Sequence, residues 1–230
     1  MAAMTYLQMV QQLAQECGVP SAPATCQNQT GEAGRLVDWV NQAHMELQEL
    51  HDDWNWLMND FSFTTVAQQQ LYTPAAIVPA GDWGVWKPDT FRAFTTSSNY
   101  GDEQLVVPVP FDVFRNQYMY GQMRSTYARP VSFAIDPATM GILLGPIPDG
   151  TGYTVLGKYF RQPATLVNDL DTPSLPPKFH MAVVYLAMTF YGLFEAAPEI
   201  LQRGQAGYGK LVAQLEIDQI PGIGFGPALA

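Results

Sequence analysis

The stretch GEAGRLVDWVNQAHMELQELHDDWNWLM, residues 31 to 58, decides the fold. Its apolar residues recur at alternating spacings of four and three, the period of one face of an α-helix. A single helix from about Glu32 to Met58 is therefore predicted, with one face packed along its whole length against another helix. This predicted helix seam consists of Leu36, Val40, Ala43, Leu47, Leu50, Trp54 and Leu57.

The end of this stretch, HDDWNW at residues 51–56, raises the question of a catalytic or metal site. Successive residues of a helix turn by about 100°, so His51, Asp52 and Asp53 fan around the helix and do not converge. His44 and His51 share a face, but helical metal-binding pairs usually sit about three or four residues apart. We interpret HDDWNW as a solvated or interface-facing helix end. No catalytic residue, cofactor or metal site is predicted, and a hydrolase centred on His51 and Asp53 is the least favoured interpretation.

The segment before this helix predicts another one. Thr5 and Gln8 form a capping-box pattern, an apolar stripe follows, and Gly18 stops the helix after Cys17. The N-terminus lacks the basic start and apolar run of a signal peptide, so synthesis in the cytosol is expected.

Two helices are predicted near the other end of the chain. The apolar run at residues 179–194 is too short to span a membrane and indicates a buried helix. A final helix begins at Pro198 and ends near Asp218. Its small residues weaken it as an isolated helix, and close approach to a neighbouring backbone is a reason for them. These small residues are Gly204, Ala206, Gly207 and Gly209.

The region from Phe61 to about Arg161 changes character, with short alternating runs cut by Gly and Pro. Strands are predicted at FSFTT, LVVPV, VSFAI, GILLG and YTVLGKYF, and the turns DPATMG and PIPDG make the last three an antiparallel meander. A short amphipathic helix is predicted at FDVFRNQYMYG. The predicted fold class is α+β: a helical bundle from residues 1–60 and 164–218, a β-rich insertion at 61–163 and an extended C-terminal arm at 219–230.

Composition and net charge limit the classes of function that the chain can have. Of 230 residues, 47% are hydrophobic and 14% are charged, which is typical of a folded chain with much of its surface covered. The formal net charge is -10 and no Lys or Arg run occurs, so nucleic-acid binding through clustered cations is disfavoured. Cys17 and Cys26 show no metal-ligand spacing and are expected to be reduced. A disulfide bond between them is the alternative.

Two further segments carry binding hypotheses. Trp83 and Trp86, in GDWGVWKPDT, are residues that can stack on sugars or anchor a partner, although covering the core of a small β domain is the commoner use. The tail QIPGIGFGPALA has no charge and predicts either a disordered end or an arm that docks in a neighbour's groove. The candidate arm residues are Ile220, Pro221, Ile223, Phe225 and Leu229.

The helix stretch at residues 31–57, followed by an F-x-F strand start, resembles the long helix of the head-tail adaptor (connector) proteins of tailed bacteriophages. RPVSFAID, PIPDGTGYTVLGKYFRQP and PPKFHMAVVYLAM resemble the same family, so the resemblance touches most of the chain from residue 30 to 218. It rests on a pattern of helices, aromatic residues and turns, and not on a chemical signature.

The resemblance implies a structural, non-enzymatic protein of the virion head-tail junction. Such adaptors form a homo-oligomeric ring, usually of twelve subunits, beneath the portal protein, with a tail or nozzle protein attached below. DNA passes through the lumen without sequence-specific binding, no membrane is involved, and the uncharged tail would be the portal-docking arm. The alternative from another class is a carbohydrate- or receptor-binding module of a phage tail that uses Trp83 and Trp86.

Overall fold

The computed structural model of the protein describes residues 3–98 and 100–220. The helices are α1 (Tyr6–Cys17), α2 (Gly31–Glu49), α3 (Pro74–Ile77), α4 (Phe111–Tyr118), α5 (His180–Phe194) and α6 (Pro198–Gln219). The strands are β1 (Met58–Thr64), β2 (Leu71–Tyr72), β3 (Trp83–Thr95), β4 (Gln104–Leu105), β5 (Val107–Pro108), β6 (Ser132–Ile135), β7 (Ile142–Gly145) and β8 (Tyr153–Arg161). The combination of helices with antiparallel and mixed sheets confirms the α+β class.

The chain divides into two compact units. The helical unit comprises the residues up to Leu57 and those from Pro163 onward, and the β unit is Met58–Gln162. In the helical unit α5 packs against α1, α2 and α6. In the β unit an aromatic core lies among strands of two sheets.

The start and end of α1 confirm the predicted capping pattern. The Thr5 hydroxyl accepts a hydrogen bond from the Gln8 amide at 3.3 Å, and the Gln8 side chain accepts one from the Thr5 amide at 3.0 Å. Gly18 follows the helix in the left-handed region, at φ 72°. The local sequence therefore accounts for both ends of this helix.

The prediction of one helix from Glu32 to Met58 is wrong at its C-terminal end, because α2 ends at Glu49. Four residues of the predicted seam (Leu36, Val40, Ala43 and Leu47) are buried on α2. Leu50 is instead 43% exposed, and Trp54 and Leu57 are buried beyond the end of α2. The apolar spacing continues past Glu49, but a turn and a short 3-10 segment replace the helix there.

Small residues allow α6 to lie close to α5, as predicted. A Cβ atom on Gly204 would be 2.9 Å from the Tyr185 carbonyl oxygen, and one on Gly207 would be 2.7 Å from the Tyr185 ring. In the opposite direction, a Cβ atom on Gly192 of α5 would be 2.8 Å from the Leu201 amide nitrogen. These distances are shorter than normal contacts, so glycine is needed at each of these positions. Gly209 has nothing within 4 Å and plays no such part.

The β unit contains two four-stranded sheets, with strand orders β1-β8-β3-β4 and β2-β7-β6-β5. β6 and β7 form the predicted antiparallel hairpin, but the predicted meander is wrong because β8 pairs with β1 and β3 instead of β7. The Pro-rich PIPDG connection carries the chain from one sheet to the other. β8 then has a hydrogen-bonded neighbour along both edges.

β3 was missed by the strand prediction, and its sequence explains why. Its pairing with β8 shifts register between Trp83 and Val85 and again between Lys87 and Arg92. A Cβ atom on Gly84 would be 2.9 Å from the Phe160 carbonyl oxygen, so the first irregularity requires glycine. Gly84 and Pro88 therefore belong to irregular positions within a strand, although in the sequence they indicate a loop.

The short helix predicted at FDVFRNQYMYG is α4, and its apolar side packs as expected. Phe114 and Tyr118 are buried, and Phe111 is half-buried against the same cluster. The predicted strand LVVPV corresponds to the two short strands β4 and β5, which belong to different sheets.

Candidate functional site

The HDDWNW segment folds back over the end of α2. The indole nitrogen of Trp54 donates a hydrogen bond to the Leu47 carbonyl oxygen at 3.2 Å. His51 contacts the Trp54 ring edge-on, and its Nε2 lies 3.0 Å from a carboxylate oxygen of Glu216. Asp52 and Asp53 are exposed. The segment is therefore a helix end held by packing and by the His51–Glu216 hydrogen bond, and its acidic side chains do not converge on His51.

Two other histidines are buried in the helical unit. His180 accepts a hydrogen bond from the Met4 amide through Nδ1 at 2.9 Å and donates one from Nε2 to the Leu175 carbonyl at 3.1 Å. Both nitrogens of a neutral ring are thus used. Burial lowers the pKa of His180, and burial together with the neighbouring His180 lowers the pKa of His44 to about 4.

The environment of His44 depends on Gln48. The Gln48 amide nitrogen is 3.2 Å from His44 Nδ1, and the same side chain exchanges hydrogen bonds with the backbone of Ala164. His44 Nε2 is buried without a hydrogen-bond partner among the described residues. A charged ring would be poorly solvated there, so His44 is held neutral and contributes to the interior of the helical unit.

The two tryptophans of the β unit do not form an open platform. Trp86 is 4% exposed and donates from its indole nitrogen to the Met140 carbonyl at 2.7 Å. Trp83 is half-buried, and its indole nitrogen has no hydrogen-bond partner in the described part of the chain. An almost wholly apolar cavity of about 320 Å³ lies beside them, with Val85 and Met140 in its wall. Sugar sites need converging polar groups as well as an exposed ring, so this lining disfavours the carbohydrate alternative.

An exposed aromatic patch occurs in the helical unit, and the sequence patterns did not single it out. We define it as Arg35 and Trp39 of α2 with Tyr191 and Phe194 of α5. The Trp39 ring centroid lies 5.9 Å from that of Tyr191 and 5.6 Å from that of Phe194. The Arg35 guanidinium lies 4.6 Å above the Phe194 ring. Phe194 is 58% exposed and the other three residues are half-buried, so the patch is open to solvent at the Phe194 ring.

Arg35 has an unusual environment for a cation. Its Nε atom is buried without a hydrogen-bond partner, and no carboxylate forms a salt bridge with it within residues 3–98 and 100–220. Lys178 and Arg203, also in the helical unit, pair with Asp218 and Glu16. The guanidinium is therefore held mainly by stacking on Phe194. The apolar run of α5 is typical of a fully buried helix, so the sequence alone does not indicate that the Phe194 ring is exposed.

Charge is divided unequally between the units. Residues 58–162 carry eight acidic and seven basic side chains, whereas the rest of the chain carries thirteen acidic and four basic ones. The net charges are -1 and -9, so nearly all of the excess negative charge belongs to the helical unit. A surface with this charge repels phosphate groups.

The predicted arm cannot be located, because Pro221, Ile223, Phe225 and Leu229 lie outside the described residues. Ile220 follows the last turn of α6, and its amide donates to the Glu216 carbonyl at 3.0 Å. Among described residues, no three His, Cys, Asp or Glu side chains are placed to hold a metal ion together. No helix in that part of the chain is long and apolar enough to cross a bilayer.

Comparison with known proteins identifies the family. Residues 4–221 match the family model described as the SU10 adaptor protein. The chain therefore belongs to the SU10 adaptor protein family, a family of structural bacteriophage head-tail adaptors, as the resemblance predicted. No curated protein gives a significant match.

Proposed function

We propose that this protein assembles as a ring between the portal and the tail of a bacteriophage and lets DNA pass through the ring. The observation that carries this proposal is the family match over residues 4–221, which spans both units. The role is structural. The portal, a tail or nozzle protein and further copies of the same chain are the proposed partners, and twelve copies is the proposed number.

The distribution of charge supports passage of DNA. A channel wall that carried Lys and Arg clusters would bind phosphates by releasing their counterions, and the DNA would stick. The helical unit has thirteen acidic and four basic side chains, so a wall built from it would repel the phosphate backbone. We propose that DNA passes along this unit without sequence-specific contacts.

The uncharged tail supports attachment to the portal. Residues 219–230 include Ile220, Ile223, Phe225 and Leu229 and carry no charged side chain. Burial of such side chains in a groove of a partner is favourable at about 25 cal/mol for each Å² of apolar surface. We propose that this segment is the portal-binding arm.

A truncation tests the arm. Deletion of residues 221–230 leaves every described helix and strand in place, so the truncated protein should keep the circular dichroism spectrum and unfolding transition of the full chain. It should lose binding to the portal protein of the same phage in a pull-down. Phe225→Glu in the full chain should weaken binding in the same direction. Normal portal binding by a well-folded truncation would rule out the arm.

A further inference from the structure

The exposed aromatic patch has the composition of a protein-protein contact. Trp, Tyr, Phe and Arg are enriched in the cores of interfaces, where a few such residues carry most of the binding free energy. Here Trp39, Tyr191 and Phe194 contact one another, and Arg35 stacks on Phe194. The cluster is preorganised, since these rings already hold one another in place before any partner arrives.

Arg35 indicates the chemistry of the partner. Its guanidinium has five N–H donors and no acceptor, and it forms no salt bridge with a described carboxylate. A partner that covered the patch would remove water from this cation. The loss is offset only if the partner places an acceptor, preferably a carboxylate, beside the guanidinium.

The helical unit of a second copy can supply such a carboxylate. It carries thirteen acidic side chains against four basic ones, and two of the basic ones are already paired within the unit. Any second copy that met the patch with its helical unit would offer carboxylates in excess.

We propose that the aromatic patch is the contact through which one copy of this chain binds the helical unit of a second copy, with Arg35 against a carboxylate of that copy. This inference rests on the proposed ring and names the surface that closes it. The net charge of -9 on each helical unit opposes association in free solution. The contact therefore forms best where a portal brings many copies together.

Photo-cross-linking tests the contact directly. The full chain carrying Phe194→p-benzoylphenylalanine is irradiated alone at high concentration and again in the presence of the portal protein of the same phage. The expected product has twice the mass of one chain, and its cross-linked peptides come from residues 3–57 or 163–220 of the second copy. Cross-links to the portal alone, or to the β unit alone, would overturn the proposal.

Matched variants measure the contribution of the patch. Phe194→Ser and Arg35→Gln should each lower the number of chains retained on the portal about tenfold at limiting concentration, the scale of an interface hot spot. Val113→Ser is the control, because Val113 is 52% exposed on α4 of the β unit, which the proposal keeps out of the contact. Retention of both patch variants at the level of Val113→Ser would contradict the proposal.

Failure of the two proposals can be told apart. If the unmodified chain does not bind the portal, the proposed function fails, and irradiation of the chain alone at high concentration, in salt that screens the net charge of the helical units, still decides the patch. A chain-to-chain product from that sample would support the patch, and its absence would overturn it. If the unmodified chain binds the portal but position 194 gives no chain-to-chain product, only the patch fails.

Discussion

The indole nitrogen of Trp54 donates a hydrogen bond to the carbonyl oxygen of Leu47, 3.2 Å away in the last turn of α2. The last carbonyl groups of a helix have no partner within the helix, so an outside donor stabilises the helix end. The chain must turn after Glu49 to bring Trp54 back over Leu47. Trp54 continues the apolar spacing of α2, but its side chain is part of the turn that ends the helix.

Trp54→Phe should lower the free energy of unfolding by about 1–3 kcal/mol, because the buried carbonyl of Leu47 loses its donor. Trp39→Phe is the matched control: the same change, in the same unit, at an indole that makes no hydrogen bond within the described residues. Its effect should be clearly smaller. Denaturant unfolding measures both, and equal losses would show that the hydrogen bond to Leu47 is unimportant.

Gly204→Ala should destabilise the protein by about 1–3 kcal/mol, because the new Cβ atom would lie 2.9 Å from the Tyr185 carbonyl oxygen. Gly209→Ala in the same helix meets nothing within 4 Å and should stabilise it by about 0.5–1 kcal/mol through helix propensity. Thermal unfolding should therefore shift in opposite directions. A shift in the same direction for both variants would contradict the close packing of α5 and α6.

Acidification should destabilise the helical unit before the carboxylates titrate. The pKa of His44 falls from 6.5 in the unfolded chain to about 4 in the folded one, so only the unfolded chain binds a proton between these values. Stability is therefore complete above pH 6.5 and is lost as the pH falls towards 4. The loss from His44 should be about 2 kcal/mol by pH 5.

His44→Leu should remove the part of that pH dependence due to His44 and leave the part due to His180, whose pKa burial also lowers. Denaturant unfolding at pH 7 and pH 5 gives the comparison. Aspartates with lowered pKa values, such as Asp149 and Asp169, lose their stabilising effect only as the pH falls below about 3.8, outside this range. An unchanged slope in His44→Leu would refute the buried neutral histidine.

Both cysteines should resist alkylation in the folded protein. Cys17 and Cys26 are free and buried, and burial raises the pKa of each thiol to about 12, so little reactive thiolate exists at pH 8. Ellman's reagent should react slowly with the native protein and with two thiols after denaturation. Rapid reaction of either thiol in the native protein would show that its surroundings open readily.

Local sequence correctly predicted those parts of the fold that depend on residues close together in the chain. The capping residues around α1, the apolar side of α4 and the β6–β7 turn each depend on a few neighbouring residues. The pairing of β1 with β8 joins Met58 to Phe160, and no local pattern indicates such a partner. The end of α2 was missed because the apolar spacing alone does not distinguish a continuing helix from a chain that folds back.

The candidate surfaces also divide into those that the sequence predicts and those that only the fold reveals. The charge and the family resemblance are visible in the sequence, and they indicated the adaptor family. The aromatic patch could not be predicted from the sequence, because Trp39 and Phe194 meet only when α2 and α5 pack together. Phe194 also ends an apolar run that otherwise indicates burial, so its 58% exposure is visible only in the folded unit.

Size-exclusion chromatography with light scattering is the most direct test of the proposed adaptor. The full chain is measured alone and after mixing with the portal ring of the same phage. We predict co-elution at the mass of the portal plus a complete ring of subunits, twelve for a twelvefold portal. A protein that stays separate from the portal at every concentration would contradict the account, whatever its own oligomeric state.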